Sequence, residues 1–543
     1  MQSRRVLLLW LDGYDPAAGD ALMAEGRLPE LKRLRAESAR FALEHGPARW
    51  TGLAGEHLST GISPDDGGRR SPLHFDSARY TIWQEGTSTA PFPAALQART
   101  VVFDPTYFDL ERAPAVRGIV HWGAHDPGGK AASRPAELRA EIEARFGRYP
   151  TEWIYGYVWP SPGRARAMGE ALVSGLAKRT DAACWLLGER CPDWDLAIVV
   201  AGELHSAAES LWHGHDRRHP LHAMASAAAA RTAFIAAYEA ADRMVGRLRA
   251  AFPDAAFIVC AMHGMGPNNS DVPSMVLLPE LLFRHHFGAA LLKGRTDWVA
   301  DRETVPPVAE TETWWPGVVK QGFTAPEDWS AALQRRARPE ETNPRPAWPE
   351  DGSTAARISV DAIAATWYRR FWPAMRAFAI PSYYDGRIRI NLAGREANGR
   401  VPRWAYGFAL NALERLVRGC RNIRTGEPVV ASVERIARND PYALEPTSAD
   451  LHVIWRNSPI GFEHKRLGRI GPVPYQRPGG HTGGHGVTFL AGAGLAPGDY
   501  GLRSSFDVVP TVVELLGAAK PARMSGRSLF AGANATPQRM AAE

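Results

Sequence analysis

Three uninterrupted apolar runs constrain this chain more than any other feature: RVLLLWL at 5–11, LAIVVAG at 196–202 and AAFIVCA at 255–261. Runs without polar alternation belong to strands covered on both faces, as in a parallel sheet between helix layers. The stretches between them have helical spacing. AAGDALMAEGRLPELKRLRAES breaks around Gly26 to Pro29, residues 164–187 form a long helix, and an Ala-rich helix covers roughly 221–251. After Thr51, GLAGEHLSTG reads as a short helix ending at Gly61. Strands alternating with helices of this length predict an α/β fold with a mostly parallel central sheet flanked by helices.

Residues 271–445 break that rhythm with Trp-, Pro- and Arg-rich segments such as TETWWPGVVKQGF and ATWYRRFWPAM, and read as an insertion or cap. The expected organisation is a core over 1–270, the insertion over 271–445, and the rest of the core over 446–543. The pattern returns with DLHVIWR (450–456) and GVTFLAGAG (486–494), and SFDVVPTVVELLGA closes the core as a helix.

Of 543 residues, 45% are hydrophobic and 22% charged, the balance of a globular protein and not of a disordered one. The apolar stretch near the N-terminus is only about six residues long before Asp12, too short for a signal peptide. No segment approaches the ~20 apolar residues of a membrane span. Cys184, Cys191, Cys260 and Cys420 form no CxxC pair, which fits reduced thiols; the expected location is cytoplasmic, away from membranes. The net charge of +6 is spread along the chain without a run of five like charges. This argues against a nucleic-acid surface and leans toward a small anionic substrate.

Four elements place metal-capable side chains directly after apolar runs. Asp12 follows LLLWL, the GELHSAAE segment with His205 and Glu209 follows LAIVV, His263 follows FIVCA, and His481 sits in GGHTGGHG. Ligands of open α/β sheets bind beyond the carboxyl ends of the strands, so residues hundreds of positions apart can converge there. Each has a plainer reading. Asp12 can form a turn, Thr51 can cap the following helix, and His205 and Glu209, four apart, can be a solvated pair on one helix face. Met262 reads as a packing residue at a strand end. His213, His215 and His219 read as surface or substrate-loop histidines, and His485 as a competitor of His481.

With these residues in view, the chain resembles the alkaline phosphatase superfamily, in particular its type I phosphodiesterase and nucleotide pyrophosphatase branch. The resemblance rests on the strand ending in Asp12-Gly13, on Thr51 nine residues before the Thr60-Gly61 that precedes Pro64, and on the tail SFDVVPTVVELLGAAKPARMSGRSLF. It implies a nucleophilic Thr51 and two metal positions. One takes His205, Glu209 and His481, where the family's Asp and His have become His and Glu. The other takes Asp12, Thr51 and His263, with Met262 where the family has Asp. The first keeps two imidazoles and a carboxylate, suited to Zn, with Fe or Mn as alternatives. The second loses a carboxylate, because a thioether is a poor ligand for such ions. One strong site and one weakened site are expected, with Glu203 and His485 as additional metal or substrate groups. Gly67 replaces a histidine common in the family.

The implied function is metal-dependent hydrolysis of a phosphate ester, a phosphodiester or nucleotide-type pyrophosphate. Two alternatives stand beside it: a mononuclear non-haem iron enzyme on the same fold, and a pseudoenzyme that binds a phosphorylated ligand without turnover. Substrate specificity is expected from the 271–445 region.

Overall fold

The computed structural model describes residues 5–123, 130–150, 161–301, 304–306, 314–338, 357–436 and 440–531. The three apolar runs form adjacent parallel strands. Val6–Leu11 lies at the centre, paired in register with Leu196–Ala201 on one side and Ala256–His263 on the other. The complete sheet has nine strands. Its order is Gly498–Ser504, Ala39–Glu44, His485–Ala491, Ala256–His263, Val6–Leu11, Leu196–Ala201, Thr100–Phe103, Arg117–Val120 and Ala132–Arg134. His485–Ala491 runs antiparallel to both neighbours, and Ala132–Arg134 runs antiparallel at one edge. The fold is therefore α/β with a mixed, mostly parallel sheet, as expected.

Side-chain alternation splits the core in two. Leu7, Leu9 and Leu11 pack beneath the helices Pro162–Trp185, Glu203–His215 and Ala227–Ala251. Val6, Leu8 and Trp10 face the closing helix Val508–Leu515 on the opposite side. Residues at i and i+2 share a face of a strand, so one strand feeds both layers. Each such Leu or Val, removed from water, contributes roughly 1.5–3 kcal/mol.

A second apolar core lies under smaller sheets. One is four-stranded and antiparallel, ordered Ala377–Ile380, Gly386–Ile390, Leu451–Trp455, Val430–Arg435. The expectation that 450–456 returns to the main sheet is thus corrected. Leu451–Trp455 is buried on both faces like a central strand, but its hydrogen-bond partners are Gly386–Ile390 and Val430–Arg435. The inserted region also recruits early residues, since Arg357–Ser359 pairs with Thr81–Glu85. Trp314 and the helix Trp315–Lys320 are described, whereas the TET of TETWWPGVVKQGF lies outside the described residues. Among the described residues no helix is long and apolar enough to cross a membrane, and all four cysteines are free.

Candidate active site

Three loops at the carboxyl ends of the central strands approach one another. The Asp12-Gly13 turn fits because Gly13 has φ +76° and a Cβ there would lie 2.1 Å from the His205 Cα. Only glycine allows the first strand's exit to press against the helix that carries His205. The loops after Ala256–His263 and before His485–Ala491 are tied by a short antiparallel ribbon, Gly266–Pro267 with Gly479–Gly480. At Gly483 a Cβ would meet the Met265 carbonyl at 2.3 Å. The glycines of GGHTGGHG therefore let the His481 loop lie directly on the His263 loop.

His205, Glu209 and His481 converge there. Their candidate ligand atoms all lie within 4.8 Å of one another, and all three residues are buried. His205 Nε2 is 2.9 Å from His481 Nε2 and 3.0 Å from Glu209 Oε1. Tetrahedral ligands about 2.0–2.1 Å from zinc sit about 3.3 Å apart. The observed spacing is a few tenths of an ångström tighter, a gap that small side-chain rotations open. The donor set of two imidazoles and one carboxylate fits a divalent ion.

The electrostatics are coherent. Burial opposes ionisation of Glu209, but the Arg477 guanidinium and His205 outweigh it and hold the carboxyl well below its usual range. For His205, burial works against the imidazolium, yet Glu209 and Asp12 prevail and raise it. His481 is driven well below an ordinary histidine by burial and by neighbouring His263 and His205, so its imidazole is neutral and free to ligate.

Asp12 is beside this cluster, with its Oδ2 3.6 Å from His205 Nδ1. Burial raises its carboxyl, His205 pulling the other way. His263 stacks edge-on against His481 at 4.6 Å between centroids, and burial lowers it to about 4. Thr51 ends the 3-10 turn Gly46–Thr51; its hydroxyl donates to Ala48 O at 2.7 Å and accepts from Leu53 N at 3.1 Å. It does not cap the following helix Ala54–Thr60, whose N-cap is Leu53. Met262 is 3% exposed in the apolar core with Val6, Leu8 and Trp10, on the closing-helix side of the sheet. It is a packing residue.

Other expected residues are elsewhere. Glu203 is not drawn toward Asp12: its Oε1 accepts from Arg179 Nε at 2.9 Å and from the Tyr149 hydroxyl at 2.8 Å. Together with Asp104 it neutralises that arginine, and a carboxylate so engaged has no reason to swing away. His485 is half exposed and its Nδ1 lies 3.2 Å from Glu44 Oε2, outside the cluster. His213 and His219 are buried and not on the surface, His213 bonding Ser226 Oγ at 3.0 Å. His215 is half-buried, stacked on Phe234.

Sequence reasoning missed Arg477, His45 and Tyr384. Arg477 pairs with both Glu209 and Asp271. His45 is buried, its Nδ1 2.5 Å from Ser505 Oγ and its Nε2 3.1 Å from His57 Nδ1. Tyr384, from the second sheet's leading loop, packs edge-on over His481 at 4.8 Å and sits against Gly52 beside Thr51. The one signal for Arg477 was its place four residues before His481.

The architecture and the cluster together define an α/β protein with ligand-bearing loops at the carboxyl edge of its sheet. Residues 6–324 match the family model described as type I phosphodiesterase / nucleotide pyrophosphatase. The chain belongs to that family, which lies within the alkaline phosphatase superfamily. Among solved structures, phosphonoacetate hydrolase from Sinorhizobium meliloti 1021 in complex with phosphonoformate is 14% identical, covering 95% of this chain and 96% of that one, TM-score 0.46. Murine ectonucleotide pyrophosphatase / phosphodiesterase 5, an inactive form with AMP, is 9% identical over 98% of this chain and 99% of that one, TM-score 0.46. Its human counterpart is 10% identical over 97% and 98%, TM-score 0.45. No curated protein matches the chain.

Proposed function

We propose that this protein is a metal-dependent phosphate-ester hydrolase with Thr51 as nucleophile, acting on a phosphodiester or a nucleotide-type pyrophosphate. The observation that carries it is the convergence of His205, Glu209 and His481 in a chain of this family, with Tyr384 packed both on His481 and against Gly52, the residue after Thr51. His205, Glu209 and His481 would hold a divalent ion, which when bound would supply Lewis-acid chemistry. His481 enters as a neutral imidazole, Glu209 is kept ionised by Arg477, and Asp12 places its charge 3.6 Å from the other ring nitrogen of His205. Such outer contacts fix ring orientation and ligand basicity. The Thr51 oxygen forms the bond to phosphorus as the leaving oxygen departs with its electron pair and takes up the proton that Thr51 loses; water then attacks phosphorus, returns a proton to the Thr51 oxygen and releases the phosphate monoester.

The Met262 position gives the second metal of the family no carboxylate, and Asp12 is already engaged with His205. One strongly held ion is the reading that results, with zinc favoured by the nitrogen-rich donor set. The donor set of two histidines and one carboxylate also favours a second reading, a mononuclear iron enzyme. Iron as the native metal, with oxygen uptake and no ester cleavage, would select it. The direct test is Thr51→Ala, expected to lower kcat for bis-p-nitrophenyl phosphate by at least about 10³-fold. Acid-quenched wild-type enzyme should carry a p-nitrophenyl phosphoryl group on Thr51; a variant retaining more than a tenth of the activity contradicts the nucleophile assignment.

A further inference from the structure

Thr51 and His45 line one end of a cleft of about 1070 Å³ between the core and the second sheet. Residues 502–504, 506–507 and 526–527 line it, and the second sheet and the loop leading into it contribute Asp385, Arg387, Arg435 and His452. His205, Glu209 and His481 are not among the residues that line it.

The cleft's arginines are not equivalent. Arg387 is fully buried and committed to Asp385 Oδ1 at 2.9 Å, and also donates to Arg70 O at 2.9 Å. Arg70 pairs with Asp65 at 2.6 Å, and Arg435 with Glu414 at 2.8 Å. Arg503 and Arg527 differ. Among the described residues neither guanidinium has an ion pair or a side-chain hydrogen bond, yet both are close enough to Asp507 to act on its carboxyl. Asp507 Oδ1 is occupied in turn by the Arg527 backbone N–H at 2.9 Å. Glu44 is held by His485 and the Gly46 N–H. The cleft that Thr51 lines is therefore also lined by two arginines, both close to Asp507, whose guanidinium groups have no ion pair or side-chain hydrogen bond among the described residues. Guanidinium forks of this kind match carboxylate and phosphate oxygens in pairs.

We infer that Arg503 and Arg527 form a subsite for a second anionic group, a carboxylate or a phosphate, carried on the part of the substrate that extends from the ester presented to Thr51. This rests on the hydrolase reading above and narrows it: the preferred substrate is a phosphate ester with an additional negative charge on its arm.

The test compares phenyl p-nitrophenyl phosphate with 4-carboxyphenyl p-nitrophenyl phosphate, which differ only by the arm's charge. Binding to the Thr51→Ala protein is measured by calorimetry, so it does not depend on turnover. The carboxylated ester is expected to bind roughly tenfold tighter, the yield of a charge-assisted hydrogen-bonded contact. Adding Arg503→Gln and Arg527→Gln should erase that ratio. Arg527→Gln alone, at an exposed position that the fold tolerates, should reduce it about threefold. Equal affinities, no detectable binding of the carboxylated ester at millimolar concentration, or a preference that survives both substitutions overturns the subsite. Absence of turnover by wild-type protein with the binding preference intact sinks the hydrolase reading while the subsite stands.

Discussion

Glu209 is held from two sides, by the imidazole of His205 and by the guanidinium of Arg477. That second contact gives the carboxylate a fixed direction and keeps it charged although buried, which a lone buried carboxylate could not manage. Glu209→Gln keeps the shape but removes the charge. Since loss of an outer partner alone costs 10–100-fold in metal affinity, loss of this ligand should cost about 100-fold or more, read by competition with a chromophoric chelator. Unchanged affinity would remove Glu209 from the metal site. His205, Glu209 and His481, which converge in the structure, were legible in advance because the first two sit on the helix that follows a buried strand and the third in the glycine-rich loop before another. Arg477, His45 and Tyr384 were not, because they come from irregular segments whose only distinguishing property is where the fold brings them.

At the scale of elements, the helix Glu203–His215 presents both His205 and Glu209, so its anchoring sets the cluster. Its first residue, Glu203, and Asp104 at the end of Thr100–Phe103 clamp Arg179 of the helix Pro162–Trp185, all three 0–1% exposed. Arg179→Met leaves two buried carboxylates without their cation. Breaking such a network costs roughly 3–5 kcal/mol, visible as a lower urea midpoint. A change below about 1 kcal/mol would mean that Tyr149 and the backbone N–H groups of Trp122 and Gly123 suffice. The central strands and long helices were legible from periodicity alone. Leu451–Trp455 was not assignable, because a strand's burial pattern does not encode its partner: the same five buried residues serve a parallel centre or an antiparallel one.

For the whole molecule, two cores under two sets of sheets leave a cleft at their junction, with Thr51 on its edge. The inserted region was expected to supply specificity, and its second sheet does contribute Tyr384, Arg387 and Arg435 to the surroundings of Thr51. Acid should unfold the protein through its buried histidines. Burial lowers His57 and His219 to about 3 and His213 to about 4, from 6.5. Below pH 6.5 the unfolded chain binds more protons than the folded one, so stability falls as pH drops from 6.5 toward 3. At about 1.4 kcal/mol per unit, the three shifts together correspond to a loss on the order of 10 kcal/mol. Urea melts at pH 7, 5.5 and 4 measure it; a flat profile would mean that these rings are solvated.

We propose that His205, Glu209 and His481 hold one ion that serves ester hydrolysis. Metal content per chain in protein purified without added metal, with turnover of bis-p-nitrophenyl phosphate before and after chelation, tests it most directly. One equivalent of a divalent metal, with activity that chelation abolishes and that metal restores, is the expected result. Turnover unaffected by complete metal removal, or a fully loaded protein that cleaves no phosphate ester, would contradict it.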